Sequence, residues 1–368
     1  MEIIIAERYG DDNWQRLVAE MHDDSGNMLS RGAFTFTPSG FGGNTVKTMM
    51  AGGVATSVEN RRGGNVRKIF DYMHALAVEE GVATAILHPF SFSYYKKFGY
   101  GRVADHLIAR FPTEKIDFVP RQCKFVPYDA NKLKDMLTVY RRFSQGRNLL
   151  LHRFDDRWYT KDKRTAYICY DGNEPIAYIV YQTQKTLDIN HYKDTVLSVC
   201  EMAYTSPAGL REIFSFLRMF EGEFDTVELP DCTLYPEADM LLQHYTHTAY
   251  RLLPDLAARV LNTGTMLEAN EYPLKEGQFT IKVVDILPSV SGVYQVNYGG
   301  GDCRVIKLDD NTACDMTLTA DAFASLLYGY RSLNSQTVLY ADGIEVHRNC
   351  EDVLRAFPKR PAGAFEQF

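Results

Sequence analysis

The sequence has no unbroken apolar run of about 18 residues, so no membrane-spanning helix is expected from it. It has no block of five or six like charges, and its formal net charge is −7. A nucleic-acid surface needs clustered Lys and Arg to displace counterions from phosphates, so that class of partner is set aside. The negative balance is mildly favourable for a cationic ligand such as an amine. No C-x-x-C pair occurs among Cys123, Cys169, Cys200, Cys232, Cys303, Cys314 and Cys350. Widely spaced and odd in number, these suggest neither a disulfide framework nor a zinc site, and they read as reduced packing residues. The opening stretch MEIIIAERYGDDNW lacks the positive charge and long apolar core of a secretory leader, which makes the cytoplasm the expected compartment. Short-period repeats and low-complexity segments are also missing.

What is present is a balance of 45% apolar and 24% charged residues over 368 positions, enough for two or three globular domains. Residues 1–118 alternate strand-like and helix-like patterns, which predicts an α/β unit. Residues 119–255 open with a short strand and a helix carrying Leu133, Leu137 and Tyr140 at helical spacing. Strands TAYICYD and PIAYIVYQT follow, joined by a turn at Asp171-Gly172-Asn173, and then VLSVCEMAYTS and the helix GLREIFSFLRMF. That order parallels the first unit. Residues 256–368 read differently: strands in QFTIKVVDI, GVYQVNYG and CRVIKL, a helix from Asp321 to Tyr330, a strand pair or a strand and turn in TVLYADGIEVH, and a tail containing Pro and Gly.

The most informative stretch is GGVATSVENRRGGNVRKIF, residues 52–70. A strand ends, an Arg/Gly loop follows, and Val66, Ile69, Phe70, Met73 and Ala77 line one face of a helix that Gly81 stops. The start of such a helix offers backbone N–H groups without internal partners, at the positive end of the dipole. Gly63 and Gly64 let a phosphate approach the backbone closely. The P-loop signature G-x-x-x-x-G-K-[S/T] and the dinucleotide signature G-x-G-x-x-G are both missing, so neither of those anion sites is meant. On the loop alone, an ordinary basic connection stays an equal alternative. Elsewhere, His244 and His247 sit at a spacing that could place two imidazoles on one helix face. With no third ligand nearby, no metal is expected.

The loop resembles motif A of GNAT acetyltransferases, in which R-x-x-G-x-[G/A] amides bind the pyrophosphate of coenzyme A. Here Arg61, Arg62, Gly63, Gly64, Asn65 and Val66 occupy that loop. G-V-A-T before it and F-G-Y-G after it are similar to the Eis (enhanced intracellular survival) family. The resemblance implies two tandem GNAT-like domains with mixed central sheets, an α/β (α+β) class, and a sterol-carrier-protein-like α+β domain at the C-terminus. It covers nearly the whole chain, and it implies a second GNAT unit without a cofactor loop. The roughly 30 residues before GAFTFTP are fewer than the family uses for the helices that wall its acceptor pocket.

The same resemblance implies the chemistry. Val54, Ala55 and Thr56 match a bulged strand whose amides face the pantetheine arm and the developing oxyanion, with a plain core strand as the alternative. Tyr95, four residues before Gly99 in Y-x-x-F-G, matches the general acid for the leaving thiolate, a phenol staying protonated at neutral pH. Tyr94 would lie about 100° around the helix. The terminal carboxylate, on Phe368, matches the base toward the acceptor, against the alternative of a frayed tail. The expected activity is transfer of an acetyl group from acetyl-coenzyme A to an amine of a small molecule or a protein lysine, with homo-oligomers possible. The alternatives are a non-catalytic coenzyme A- or lipid-binding protein, or a transferase of longer acyl groups.

Overall fold

The computed structural model describes residues 2–11, 13–117, 119–160, 164–187, 193–242, 245–273, 275–330, 333–334, 336–348 and 350–366. They form two compact units. One is built from residues up to 104 together with 255–362, the other from 105–254 and 363–366.

In the first unit, β1 (Glu2–Gly10), β2 (Gln15–His22), β3 (Met28–Phe41) and β4 (Asn44–Thr56) form an antiparallel meander before any α-helix appears. The described residues ahead of GAFTFTP thus hold two strands of this sheet and the first residues of a third. Helix α1 (Asn65–Glu79) then crosses over the sheet to β5 (Thr84–Leu87), which pairs parallel to β4 through Thr48, Met49 and Met50. The apolar face read from the sequence is the one that packs. Ile69, Phe70, Met73 and Ala77 are fully buried against Phe34, Met49, Ala51 and Ala85. Each large side chain there contributes about 1.5–3 kcal/mol on leaving water. A five-residue helix α2 (Phe92–Lys96) follows, capped by the Ser91 side chain accepting from the Tyr94 N–H.

The second unit repeats the plan. Strand β6 (Gly101–Pro112) contributes Ala109–Pro112, which pair with β11 (Thr226–Leu229). Between them in sequence come β7 (Lys124–Pro127), α3 (Leu133–Ser144), a single turn α4 (Arg157–Thr160), β8 (Thr165–Asp171), β9 (Glu174–Leu187), β10 (Lys193–Tyr204) and α5 (Pro207–Arg218). The β7-β8-β9-β10 ladder is antiparallel, and β10 runs parallel to β11 with α5 as the crossover. Met136, Val139, Tyr140 and Phe143 of α3, with Ile213 and Leu217 of α5, bury against this sheet. The short helix α6 (Pro236–Asp239) comes next, and β12 (Ala249–Val260) returns the chain to the first unit, where Ala257–Val260 pair with β5.

The remaining part of the first unit carries its own sheet. Strands β13 (Glu276–Val284), β14 (Gly292–Gly299), β15 (Asp302–Leu308), β16 (Met316–Thr319) and β17 (Ile344–Val346) lie in the order β15-β14-β13-β16-β17. Helices α7 (Thr263–Ala269), α8 (Ala320–Leu327) and α9 (Glu351–Ala356) accompany it. The helix expected from Asp321 to Tyr330 starts one residue earlier and stops at Leu327. The Pro/Gly segment near the end is packed rather than frayed as far as residue 366: Phe365 is buried, and its ring lies 6.1 Å from that of Tyr235. No helix among the described residues is long and apolar enough to cross a membrane.

Candidate active site

The β3–β4 pairing breaks at one point. Ala33 opposes Gly52 and Arg31 opposes Ala55, so Gly53 and Val54 together face the single residue Gly32. This is a β-bulge, and Gly53 sits at φ 57°, a conformation that a side chain would strain. A bulge tilts successive peptide groups out of the ladder, which is how a strand directs N–H groups sideways. The sequence expectation of a bulge near Val54 to Thr56 therefore has a physical counterpart.

Ten residues further on, α1 begins at an unusual cap. Gly64 is the N-cap at φ 75° and offers no side chain, and the first intrahelical bond is Lys68 N–H to Gly64 O. The N–H groups of Asn65, Val66 and Arg67 consequently have no acceptor within the helix. Arg62, at φ 66°, is also left-handed, which costs a non-glycine residue about 1–2 kcal/mol. Strain of this kind marks positions where the surroundings dictate the backbone. The Asn65 side chain ties the loop together by donating to Asn60 O at 3.2 Å. One amide of the stretch is already used: Arg61 N–H donates to Val58 O at 3.3 Å, so the run of free amides starts after it.

These elements share one groove of about 690 Å³. Val54, Ala55, Thr56, Arg61, Arg62, Gly64, Asn65, Val66 and Tyr95 all line it, and Gly63 does not. Arg67 and Lys97 add two cations to those of Arg61 and Arg62. Arg67 is fixed, donating to Lys97 O at 2.9 Å with its guanidinium 4.6 Å from the centre of the Phe98 ring. An anion with two or more phosphates is the ligand such a wall suits.

Tyr95 lies across the groove on α2, nearly buried among Phe70, Phe90, Phe98 and Tyr100. Burial, with a smaller contribution from neighbouring Tyr94, pushes its phenol up to about 12. Its hydroxyl has no hydrogen-bond partner among the described residues. Tyr94 lines the same groove, despite its offset around α2. Phe90, 78% exposed, extends the aromatic wall outward, its ring 5.1 Å from that of Tyr94.

A polar pair that the sequence did not single out joins the end of β5 to β12. His88 directly follows β5, and its Nδ1 is 2.8 Å from Asp255 Oδ1 on β12. The partners are 167 positions apart, so no local motif could announce them. Phe368 lies outside the described residues, as does His244, while His247 is exposed in a single 3₁₀ turn. The one grouping of metal-type donors among the described residues is Cys123, Cys169 and Glu212 in the second unit. There the Glu212 oxygens already accept the N–H groups of Gln122 and Cys123 at 2.9 and 3.3 Å.

The second unit has the same bulge without the same helix cap. On β10, Cys200 is the extra residue between the Val199–Tyr181 and Glu201–Val180 pairs. At the start of α5, however, Pro207 has no N–H, and the Ser206 hydroxyl takes the Gly209 N–H at 3.2 Å. Of the three amides that α1 leaves open, α5 leaves one.

Comparison with known proteins agrees with this duplicated plan. Residues 16–103 match a family described as an acetyltransferase (GNAT) domain, and residues 149–260 match a second family of the same description. No curated protein matches the sequence. Among solved structures, a GCN5-related N-acetyltransferase from Anabaena variabilis superposes with a TM-score of 0.81 at 18% identity, over 95% of this chain and 89% of that one. A probable N-acyltransferase from Enterococcus faecalis gives 0.79 at 17% identity, over 97% and 90%. Eis1 from Mycobacterium abscessus gives 0.76 at 15%, over 95% and 90%. At such identities these likenesses speak for the fold alone. With both domain matches in place, the chain carries two GNAT acetyltransferase domains in tandem and is an acyltransferase.

Proposed function

We propose that the protein transfers an acetyl group from acetyl-coenzyme A to a primary amine, and that the chemistry takes place in the groove of the first unit. The observation that carries this reading is the meeting, in one groove, of a bulged strand, an uncapped helix start and a buried tyrosine whose hydroxyl is unengaged. The amides of Asn65, Val66 and Arg67 hold the pyrophosphate, each charge-assisted bond contributing about 1.5–3 kcal/mol. Arg61, Arg62 and Lys97 supply the long-range attraction. Amides at the Gly53–Thr56 bulge face the thioester and donate where negative charge develops on its oxygen. Tyr95 donates its proton toward the departing sulfur.

The base in this proposal is the carboxylate of Phe368. A free terminal carboxylate titrates near 3.5, so it acts either desolvated or through a water. The second unit is assigned an architectural role, because Ser206 and Pro207 close the amide site that the first unit keeps open. The likeness of residues 256–368 to sterol-carrier proteins is supported by a separate five-stranded sheet with helices, and a fold of that kind fixes no ligand.

The test is an acceptor screen in which acetyl-coenzyme A is offered with polyamines, aminoglycosides and lysine peptides, and acetylated products are identified by mass. Acetylation of at least one amine, lost when a longer acyl donor replaces acetyl, supports the reading. Faster turnover with longer donors would make the protein a different acyltransferase. Binding of the donor without any product would refute the proposal.

A further inference from the structure

Tyr95 stands on a helix of five residues, too short to hold a geometry by itself. The turn after it closes on the Tyr95 carbonyl, which accepts from Phe98 N–H at 2.9 Å and Tyr100 N–H at 3.3 Å. What fixes that turn comes from far along the chain. Arg259 on β12, 1% exposed, donates through Nη1 to the Phe98 carbonyl and through Nη2 to Asp285 Oδ1 at 2.7 Å. Asp285 sits in the loop after β13, and its Oδ1 also accepts the Leu287 N–H at 2.8 Å. On the adjoining side, Lys96 meets Asp321 of α8 at 3.2 Å and Asp342 at 2.5 Å. Ser325 of the same helix donates to the Arg102 carbonyl at 2.8 Å.

The buried pair is poorly explained by stability. Arg259 Nε and Asp285 Oδ2 are buried without hydrogen-bond partners among the described residues. Withdrawing two charges from water for a single-contact ion pair returns less than a well-packed apolar pair would. What the pair does provide is a fixed place for the Phe98 carbonyl, three residues after Tyr95. We infer that β12 and the C-terminal sheet region position Tyr95 for proton donation, with Arg259 and Asp285 as the principal positioning residues and Lys96 with Asp321 as a second hold. This inference rests on the reading of Tyr95 as the proton donor.

A double-mutant cycle tests it in the full-length protein, with turnover and KM for acetyl-coenzyme A as readouts. Misplacement of a reacting group by about 1 Å can cost ~100-fold, so Asp285→Asn is expected to lower kcat by roughly 10–100-fold with KM changed less than about twofold. In the Tyr95→Phe background, where there is no proton left to position, the same substitution should cost less than about threefold. Equal losses in both backgrounds would overturn the inference, as would an unchanged kcat in Asp285→Asn. If Tyr95→Phe alone leaves the rate unchanged, the proton-donor reading fails, which is a different result from additivity. Should Asp285→Asn not fold, Lys96→Met serves in its place, since Lys96 is 46% exposed and its loss leaves no buried charge. It is expected to follow the same pattern with a smaller loss, and an unchanged kcat or an equal loss in both backgrounds would overturn the second hold.

Discussion

Replacing Tyr95 by Phe separates chemistry from structure cleanly at this site. The ring keeps its neighbours Phe70, Phe90, Phe98 and Tyr100, whose centres lie 5.5–6.0 Å from that of Tyr95. The hydroxyl removed has no partner among the described residues, so no buried donor or acceptor is orphaned. Stability should change by less than about 0.5 kcal/mol, as for substitutions that touch no packing or polar network. The catalytic effect is bounded by acidity. A phenol at about 12 facing an alkyl thiol near ~8.5 is uphill for full transfer by roughly 3.5 units, or ~5 kcal/mol. In the proposed mechanism Tyr95 would therefore share its proton with the sulfur rather than transfer it fully. The loss should fall near the lower end of the general-acid range, about 100-fold in kcat or ~2.7 kcal/mol, with donor affinity preserved. Because the phenol stays protonated well past neutral pH, the factor should be the same from about pH 6 to about pH 9. Loss of the thioester absorbance is the suitable assay, since the protein's own free cysteines would react with a thiol reagent. A rate within threefold of the parent, or a parallel loss of donor binding, would refute the reasoning.

Gly64→Ala meets no atom within 4 Å but must adopt φ 75°, so it should cost about 1–2 kcal/mol of stability and weaken coenzyme A binding as the helix start shifts. Calorimetric titration alongside thermal melting checks both. Glu201→Ala leaves Arg153 without its two bonds of 2.6 and 2.7 Å, while Glu366 still holds the Nε at 2.7 Å. A loss near the low end of the 3–5 kcal/mol range is expected in urea unfolding. His74, buried beside Arg259 with Nε2 3.0 Å from the Tyr100 hydroxyl, is held well below its ordinary value, mainly by burial and then by the Arg259 charge. The unfolded chain then takes up a proton that the folded one refuses, so stability should fall as pH drops below about 6.5. His74→Gln should flatten that slope, and an unchanged slope would exclude His74 as its source.

The parts of this architecture that follow local rules were legible in the sequence. The α1 face, the turn at Asp171-Gly172-Asn173 and the Arg/Gly loop each depend on residues within a few positions of one another. The first 22 residues were harder. β1 is mostly exposed at the edge of the sheet, so its side chains carry little of the alternation that marks a half-buried strand. Arg61 illustrates a finer miss, because a 3₁₀ turn over Val58–Asn60 claims its amide and no composition rule reveals that. Tyr94 and Tyr95 both line the groove, which an offset of one residue on a helix does not announce. The pairs His88–Asp255 and Arg259–Asp285 depend on tertiary contacts across 167 and 26 positions. Spacing along the chain says nothing about either.

The sealed start of α5 has a bearing on how this duplication can change. Turning the second copy into a working centre would require a proline to leave the first helical position and a serine hydroxyl to release the amide it holds. Either step alone would open only two of the three amides that α1 leaves free. On the proposed reading these two neighbouring residues hold the duplicate to a supporting part, and titration with the donor should then saturate at one equivalent per chain.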